Sequence, residues 1–354
     1  MSAGVVAGGL LGKAASWAGR GLVRWTGPLV DIDDLLEAIA ARPRHLGIEG
    51  TNACNARCRF CGYQYQQRPR AILPMDLFKK AIDEFDAFGG GSVGFNPVVG
   101  DTLVDPHIVA RIRYARGKEN VTRIGLYSNG ILLGQVGAGA LLSSGIDDIT
   151  ISVGGLDRET YKRVFGVDRW HIVYDGLHAL LQENEARGRP ARVRIALRAD
   201  VPIWRSLRTP AYRALRRHQF ELEFNLWHFD NWSGRIGQAQ LSGTMRLKKP
   251  PRKREPCSIL YRTPKILSNG DLTLCGCRDL NGDSELVLGN VADSSILEMW
   301  RDPRVAEIRQ GFYHDRVPRI CHDCSLYQDL GFFRREKLAA VFRRRGRPGD
   351  GLAV

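Results

Sequence analysis

Gly50-Thr51-Asn52-Ala53-Cys54-Asn55-Ala56-Arg57-Cys58-Arg59-Phe60-Cys61 places three cysteines within eight residues, spaced C-x3-C-x2-C. Thiolates this close can face one metal centre. No fourth ligand stands beside them: the next His is His107 and the next Cys is Cys257. Three protein ligands and one open position mark a catalytic metal site, whereas a structural one is closed. A [4Fe–4S] cluster normally takes four Cys, so three leave one iron free for an outside ligand.

Other readings of the triplet are weaker. A disulfide framework needs an oxidising compartment, and the N-terminal residues have no basic stretch before the apolar run and no obvious cleavage site. A zinc site needs a fourth close ligand. Buried free cysteines occur singly, not as triplets flanked by Asn and Arg. With Phe60 before the last cysteine, the motif resembles the signature of radical S-adenosylmethionine (SAM) enzymes. The resemblance implies that SAM chelates the open iron through its amino and carboxylate groups. One electron from the cluster then cleaves SAM to a 5′-deoxyadenosyl radical that abstracts a substrate hydrogen. It also implies an external electron donor such as flavodoxin or ferredoxin.

The 354 residues suffice for one large domain and a small one, and 44% hydrophobic content supports a core. The net charge of +14 comes from 52 Lys and Arg against 38 Asp and Glu. Nucleic acid, an anionic membrane surface, an acidic substrate or a plain arginine-rich composition would each account for it. Eight cysteines with no secretory signal point to metal binding in a reducing cytoplasm. The charge-free N-terminal run is too short to span a bilayer. Leu10, Ala14, Trp17 and Gly21 share a helical face near Lys13, Arg20 and Arg24, which reads as a weak interfacial helix or a frayed terminus.

From residue 31 onward the chain alternates. A short acidic-capped helix at 31–37 precedes a strand at 44–49 that runs into the Cys loop. Then follow helix 74–88, strand 92–95, helix 106–116, strand 122–127, helix 131–143, strand 148–153, helical residues 157–186, strand 192–200, helix 206–218 and strand 221–227. Such alternation demands parallel strands joined by right-handed crossovers. A doubly wound open sheet and a partial (β/α) barrel both satisfy it, and in either the chemistry sits at the carboxyl ends of the strands. The family resemblance selects an α/β partial (β/α)6 TIM-like barrel. The domain reading is an N-terminal extension at 1–43, a core at 44–227, a linker at 228–256 with the basic run Lys248 to Arg254, a metal-binding domain at 257–330 and a basic tail at 331–354.

The other five cysteines all follow that linker. Residues 265–274 read as a hairpin around Asn269-Gly270, which returns Cys275 toward Cys257. Cys321 and Cys324 form a C-x2-C pair. Four thiolates would close a second cluster, and a structural zinc fits the same spacing. The order of Cys257, Gly270 and Cys275, then Leu288-Gly289-Asn290-Val291, Leu297-Glu298-Met299-Trp300 and the final pair, resembles the SPASM/twitch extensions of radical SAM enzymes. No cysteine follows Cys324, so the resemblance implies one auxiliary [4Fe–4S] cluster on Cys257, Cys275, Cys321 and Cys324, and two clusters in all. Cys275 and Cys277 compete for one ligand place, and the Gly270 spacing favours Cys275. Cys277 is then a spare thiol able to donate a hydrogen atom, as in radical SAM epimerases, or a small buried residue.

The resemblance also assigns the SAM contacts. Gly100 and Asp101 stand where the family has Gly-Gly-Glu, with Asp in place of Glu and one Gly fewer. Ser128 and Asn129 suit ribose hydroxyls and equally a helix cap. Ser152 follows strand four, where Gly154 replaces a common Asp, and Arg198 is placed to meet the SAM carboxylate. After strand six, His228 or Asp230 could act as the base for a substrate proton.

Two outcomes compete. In a dehydrogenase the substrate radical loses a proton and passes an electron to the auxiliary cluster; in an epimerase it takes a hydrogen atom from Cys277. No separate peptide-recognition domain is evident, which favours a sugar-like or aminocyclitol natural product over a ribosomally made peptide. An RNA-binding iron–sulfur protein would explain the charge, but no RNA-binding module accompanies it. Leu338, Val341 and Phe342 among the C-terminal arginines suggest a basic amphipathic helix that covers the barrel or makes a peripheral membrane contact.

Overall fold

The computed structural model describes residues 30–224 and 228–346, with side chains through Ala339. The helical face from Leu10 to Gly21, Trp227, and the side chains of Val341 and Phe342 lie outside the described residues.

Six strands follow the anticipated alternation: β1 His45–Ile48, β2 Gly91–Phe95, β3 Val121–Ser128, β4 Asp148–Val153, β5 Arg192–Leu197 and β6 Glu221–Phe224. They pair in sequential order, all parallel. The pattern within each strand explains its placement. In β4, Ile149, Ile151 and Val153 are fully buried beneath the helices, while Asp148 and Ser152 on the opposite face are partly open. Leu46, Ile48, Val93, Phe95, Ile124, Leu126, Val193, Ile195 and Leu197 join the same apolar layer. Period-two alternation turns the intervening polar residues to the concave side.

Helix Met75–Ala87 shows how the outer layer is built. Pro74 starts it, and Phe78, Ala81, Ile82 and Phe85 recur on one face and are fully buried. Each of the larger three contributes about 1.5–3 kcal/mol by leaving water. The helices anticipated at 131–143 and 206–218 are each divided in two, and the helical residues 157–186 form two helices. Gly137, at φ +83°, separates Leu133–Val136 from Ala138–Leu142, and Gly166, at φ +68°, ends Arg158–Phe165 before Trp170–Ala186 begins. Pro210 opens its own helix, capped by Thr209, whose hydroxyl accepts from the Tyr212 N–H at 3.1 Å.

The 228–256 segment is more than a linker. It carries a parallel pair, β7 His228–Phe229 and β8 Arg246–Leu247, and buries Trp232, Ile236 and Met245. Beyond it the chain rejoins the sheet. Strand β9 Lys265–Ile266 lies parallel to β1, and β10 Asp271–Thr273 turns back antiparallel through the anticipated hairpin, followed by β11 Val287–Asn290. The result is one nine-stranded sheet in which the C-terminal cysteine region extends the barrel at the β1 edge.

Helix Gly331–Gly346 begins by burying Phe333 with Ile32, Ile39, Tyr261 and Leu330 in a small second core. Arg334 pairs with Glu255 at 2.8 Å. The start of this helix therefore covers the Asp33–Ala41 helix. Among the described residues no helix is long and apolar enough to cross a membrane.

Candidate metal centres and cofactor site

The Cys loop leaves the carboxyl end of β1 at Glu49, a residue with no exposed surface. Its carboxylate accepts two hydrogen bonds from Arg68, at 2.6 and 3.1 Å, one from the Val98 N–H at 3.0 Å, and two from Ser268, through N–H and hydroxyl. One side chain thus joins the Cys loop region, the segment after β2 and the C-terminal hairpin. The loop is stitched further. Asn52 donates to Pro69 O and accepts from the Ala71 N–H, both at 2.8 Å, and the Arg57 and Arg59 N–H groups donate to Phe165 O and Val164 O.

The three thiols lie in a low-polarity setting. Burial pushes Cys54 up to about 12, with Asp101 adding to it. Burial, then Cys61 and Cys54, drives Cys58 far above the ordinary thiol range, and burial raises Cys61. Thiols that resist ionisation in the bare protein become thiolates when a cationic centre supplies the missing positive charge, which is the chemistry of an iron ligand set. Two buried polar atoms beside them have no partner, Tyr161 Oη and Asn55 Nδ2, as donors facing a sulfur-rich centre would. Asn96 Oδ1, at the carboxyl end of β2, is a buried acceptor without a donor and suits an ammonium group. These residues fit a cluster carrying SAM.

Each anticipated SAM contact has a definite place. Gly100, at φ +128°, packs so tightly on the Cys loop that a Cβ there would meet Thr51 O at 2.8 Å. The Asp101 N–H donates to Ala53 O at 2.8 Å. The Asp101 carboxylate accepts from Ser128 Oγ, the Asn129 N–H and the Leu103 N–H; burial nevertheless raises it to about 6. Asp101 and Ser128 are therefore partners of each other beneath the loop. Asn129 reaches the cluster position, its amide donating to Asn55 Oδ1 at 2.7 Å and lying 3.7 Å from Cys54 Sγ. Ser152 is half-buried on the concave face, and Arg198 reaches Glu223 at 3.4 Å.

In the C-terminal region, burial first, then Cys275, Cys324 and Cys257, raise the Cys321 thiol. Burial, then Cys277 and Cys324, raise Cys275, and burial takes Cys257 to about 11. Cys277 is half-buried and neighbours Cys275 and Lys265. Among the described residues no three Cys, His, Asp or Glu side chains converge on the position of a single metal ion. A four-iron cluster takes one thiolate at each iron, so its ligands surround a volume instead of a point.

The Radical SAM superfamily model matches residues 48–184, and the SPASM model, an iron–sulfur cluster-binding domain, matches residues 257–325. The chain is a radical SAM enzyme. Its second domain is of the SPASM type, and its cofactors are SAM and iron–sulfur clusters. Over 139 residues, 39% of the chain, the radical SAM enzyme is 28% identical to the GTP 3′,8-cyclase of Chlorobaculum tepidum. It spans about two-fifths of the length of that relative, 41%. Its fold is similar to that of BtrN, solved in complex with AdoMet and 2-DOIA, at a TM-score of 0.55 and 15% identity over 80% of this chain and 93% of BtrN. It is also similar to Streptococcus suis SuiB bound to the precursor peptide SuiA, at a TM-score of 0.58 and 15% identity over 78% of this chain and 69% of SuiB.

Sequence reasoning missed the clip that joins the two halves of the radical SAM enzyme. Trp232 Nε1 donates to Phe60 O at 2.8 Å, inside the Cys loop, and the Arg278 guanidinium lies 4.1 Å over the Trp232 ring. Arg278 follows Cys277 and pairs with Asp230. Asp230 also accepts from the Trp232 N–H and from Ser325 Oγ, both at 2.8 Å, and Ser325 follows Cys324. Both Asp230 oxygens are engaged, with Arg278 and the Trp232 N–H on one and Ser325 Oγ on the other, so the structure places this carboxylate in the clip. His228 is exposed in β7. Trp232 and Glu49 carried only a weak signal: an aromatic in a Gly-rich stretch and a charge ending an apolar strand.

Proposed function

We propose that this radical SAM enzyme dehydrogenates a small, polar, sugar-like or aminocyclitol substrate. One observation carries the reading: the turn Cys275-Gly276-Cys277 lies against the barrel mouth. A Cβ on Gly276 would meet Lys265 Cε at 2.9 Å, and Lys265 itself donates to Asn96 O at the end of β2. An auxiliary cluster on Cys257, Cys275, Cys321 and Cys324 would therefore stand close to the substrate position. When bound, SAM and the clusters supply a hydrogen-abstracting radical and a one-electron acceptor. A carbinol that loses its C–H hydrogen becomes a ketone by giving up one proton and one electron.

The concave face supports the substrate class. Tyr127, Thr150, Ser152, Arg194, Arg198 and Glu223 present hydroxyl, guanidinium and carboxylate groups from β3 to β6, suited to a hydroxyl- and amine-bearing ligand. His228, just past β6, is the proton acceptor in this account, and Arg198 and Asn129 orient SAM. The similarity to BtrN, solved with 2-DOIA, is in keeping with this class.

The second reading is epimerisation, favoured by the placement of Cys277 beside Lys265. Replacing Cys277 with Ala separates the two. The dehydrogenase reading predicts that C277A still forms product at a rate comparable to wild type. Formation of 5′-deoxyadenosine with loss of product would move the assignment to an epimerase.

A further inference from the structure

The Cys loop has an outer face that the chemistry at the barrel mouth does not use. Helix Arg158–Phe165 packs behind it, and the Arg57 and Arg59 N–H groups donate to the last two residues of that helix. Gly166 follows, where a Cβ would collide with Arg57 O. Between loop and helix lies an open cavity of about 610 Å³ lined by Arg57, Arg59, Lys162, Arg163, Glu159 and Asp168. Its lining residues Arg57 and Arg59 stand on either side of Cys58 in the chain.

The charges of this cavity are unbalanced. Asp168 is taken by Arg158 at 2.6 Å and by Lys162 at 3.8 Å, and Arg163 pairs with Asp200 at 2.6 Å. Arg57 and Arg59 are exposed and have no ion-pair partner among the described residues; Arg59 Nε donates to Arg163 O at 3.0 Å, and the exposed Glu159 lines the same cavity. Two guanidinium groups outside any ion pair thus flank the middle cysteine of the triplet at the surface, and the basic groups of the cavity outnumber Glu159 and Asp168. A second basic cavity, with Lys248, Arg252 and Arg335, lies on the far region of the chain near Tyr327.

We propose that the Arg57–Arg59 face docks a small acidic electron-transfer protein that reduces the cluster on Cys54, Cys58 and Cys61. Electron transfer weakens steeply with distance, and here the surface comes within one residue of a cluster ligand. Arginines held by the loop backbone itself would steer an acidic partner to that point. The inference rests on the radical SAM assignment and is independent of whether the substrate is dehydrogenated or epimerised.

The test measures the affinity of reduced flavodoxin and of ferredoxin for the anaerobically reconstituted enzyme at low and moderate salt. The double variant R57E/R59E is compared with K248E/R252E/R335E in the other basic cavity. The docking face predicts that R57E/R59E weakens binding by about tenfold or more and flattens its salt dependence, and that the triple variant binds like wild type. Iron content and SAM cleavage driven by dithionite stay near wild type in both, which shows that the clusters are intact. R57Q/R59Q serves if the charge reversal fails to load iron, with a smaller loss predicted. Unchanged binding in the loop variants, loss in the triple variant instead, or no binding of either protein to wild type would overturn the proposal.

Discussion

The indole N–H of Trp232 donates to the carbonyl of Phe60, 172 residues away, at 2.8 Å. Phe60 stands between two cysteines of the radical SAM motif, and the face of the same indole carries Arg278, the neighbour of Cys277. Trp232 therefore fixes the Cys loop relative to the auxiliary cysteines.

Substitution of Trp232 tests that role. W232F removes the hydrogen bond and should cost about 1 kcal/mol, whereas W232A also leaves a cavity and should cost about 3–5 kcal/mol, read by denaturant unfolding. Both variants should alter the electron paramagnetic resonance spectrum of the reduced cluster at 54–61. A wild-type spectrum in W232A would show that the indole only fills space.

Glu49 ties three segments together without touching water. E49Q leaves Arg68 buried without its counter-charge and should lose about 3–5 kcal/mol. Because Ser268 lies in the C-terminal hairpin, iron should fall at both sites after reconstitution. Loss at the 54–61 site alone would show that the hairpin docks independently.

His228 and Asp230 make separable predictions. H228A should slow product formation by about 10²-fold or more while 5′-deoxyadenosine still appears, the signature of a missing proton acceptor. D230N breaks the pair with Arg278 and should lower stability and activity together, leaving the shape of the pH–rate profile unchanged. Loss of one limb of that profile in D230N would assign the base to Asp230.

His45, at the start of β1, is lowered to about 4 by burial, with Lys265 and Arg262 adding to it. Below pH 6.5 the unfolded chain takes up a proton that the folded chain refuses. Stability from this group is full above 6.5, falls as pH drops toward 4, and changes no further below it. The loss is at most about 3 kcal/mol. H45Q should flatten this part of the stability curve in apoprotein, measured by denaturant unfolding at pH 4.5 and 7.

Much of this was legible in the sequence because its signals are local. The C-x3-C-x2-C spacing, the alternating Ile-Thr-Ile-Ser-Val of β4 and the Asn269-Gly270 turn each declare themselves within a few residues. What escaped depends on distant partners. Glu49 meets Ser268 and Trp232 meets Phe60 only after the sheet has closed. Asp101, a SAM contact by resemblance, also ties Ser128, Asn129 and Leu103 together through its carboxylate, and spacing along the chain does not announce those partners. Gly137 and Pro210 are punctuation within the helical pattern at 131–143 and 206–218, and there the chain follows the punctuation.

Loaded with its clusters, one chain should carry two four-iron centres, one opened to SAM and one closed by four cysteines. Anaerobic reconstitution followed by iron, sulfide and zinc counting tests it most directly. About eight irons per chain are expected, falling to about four when Cys54, Cys58 and Cys61 are replaced by Ala. Four irons and one zinc in the unaltered chain would contradict it.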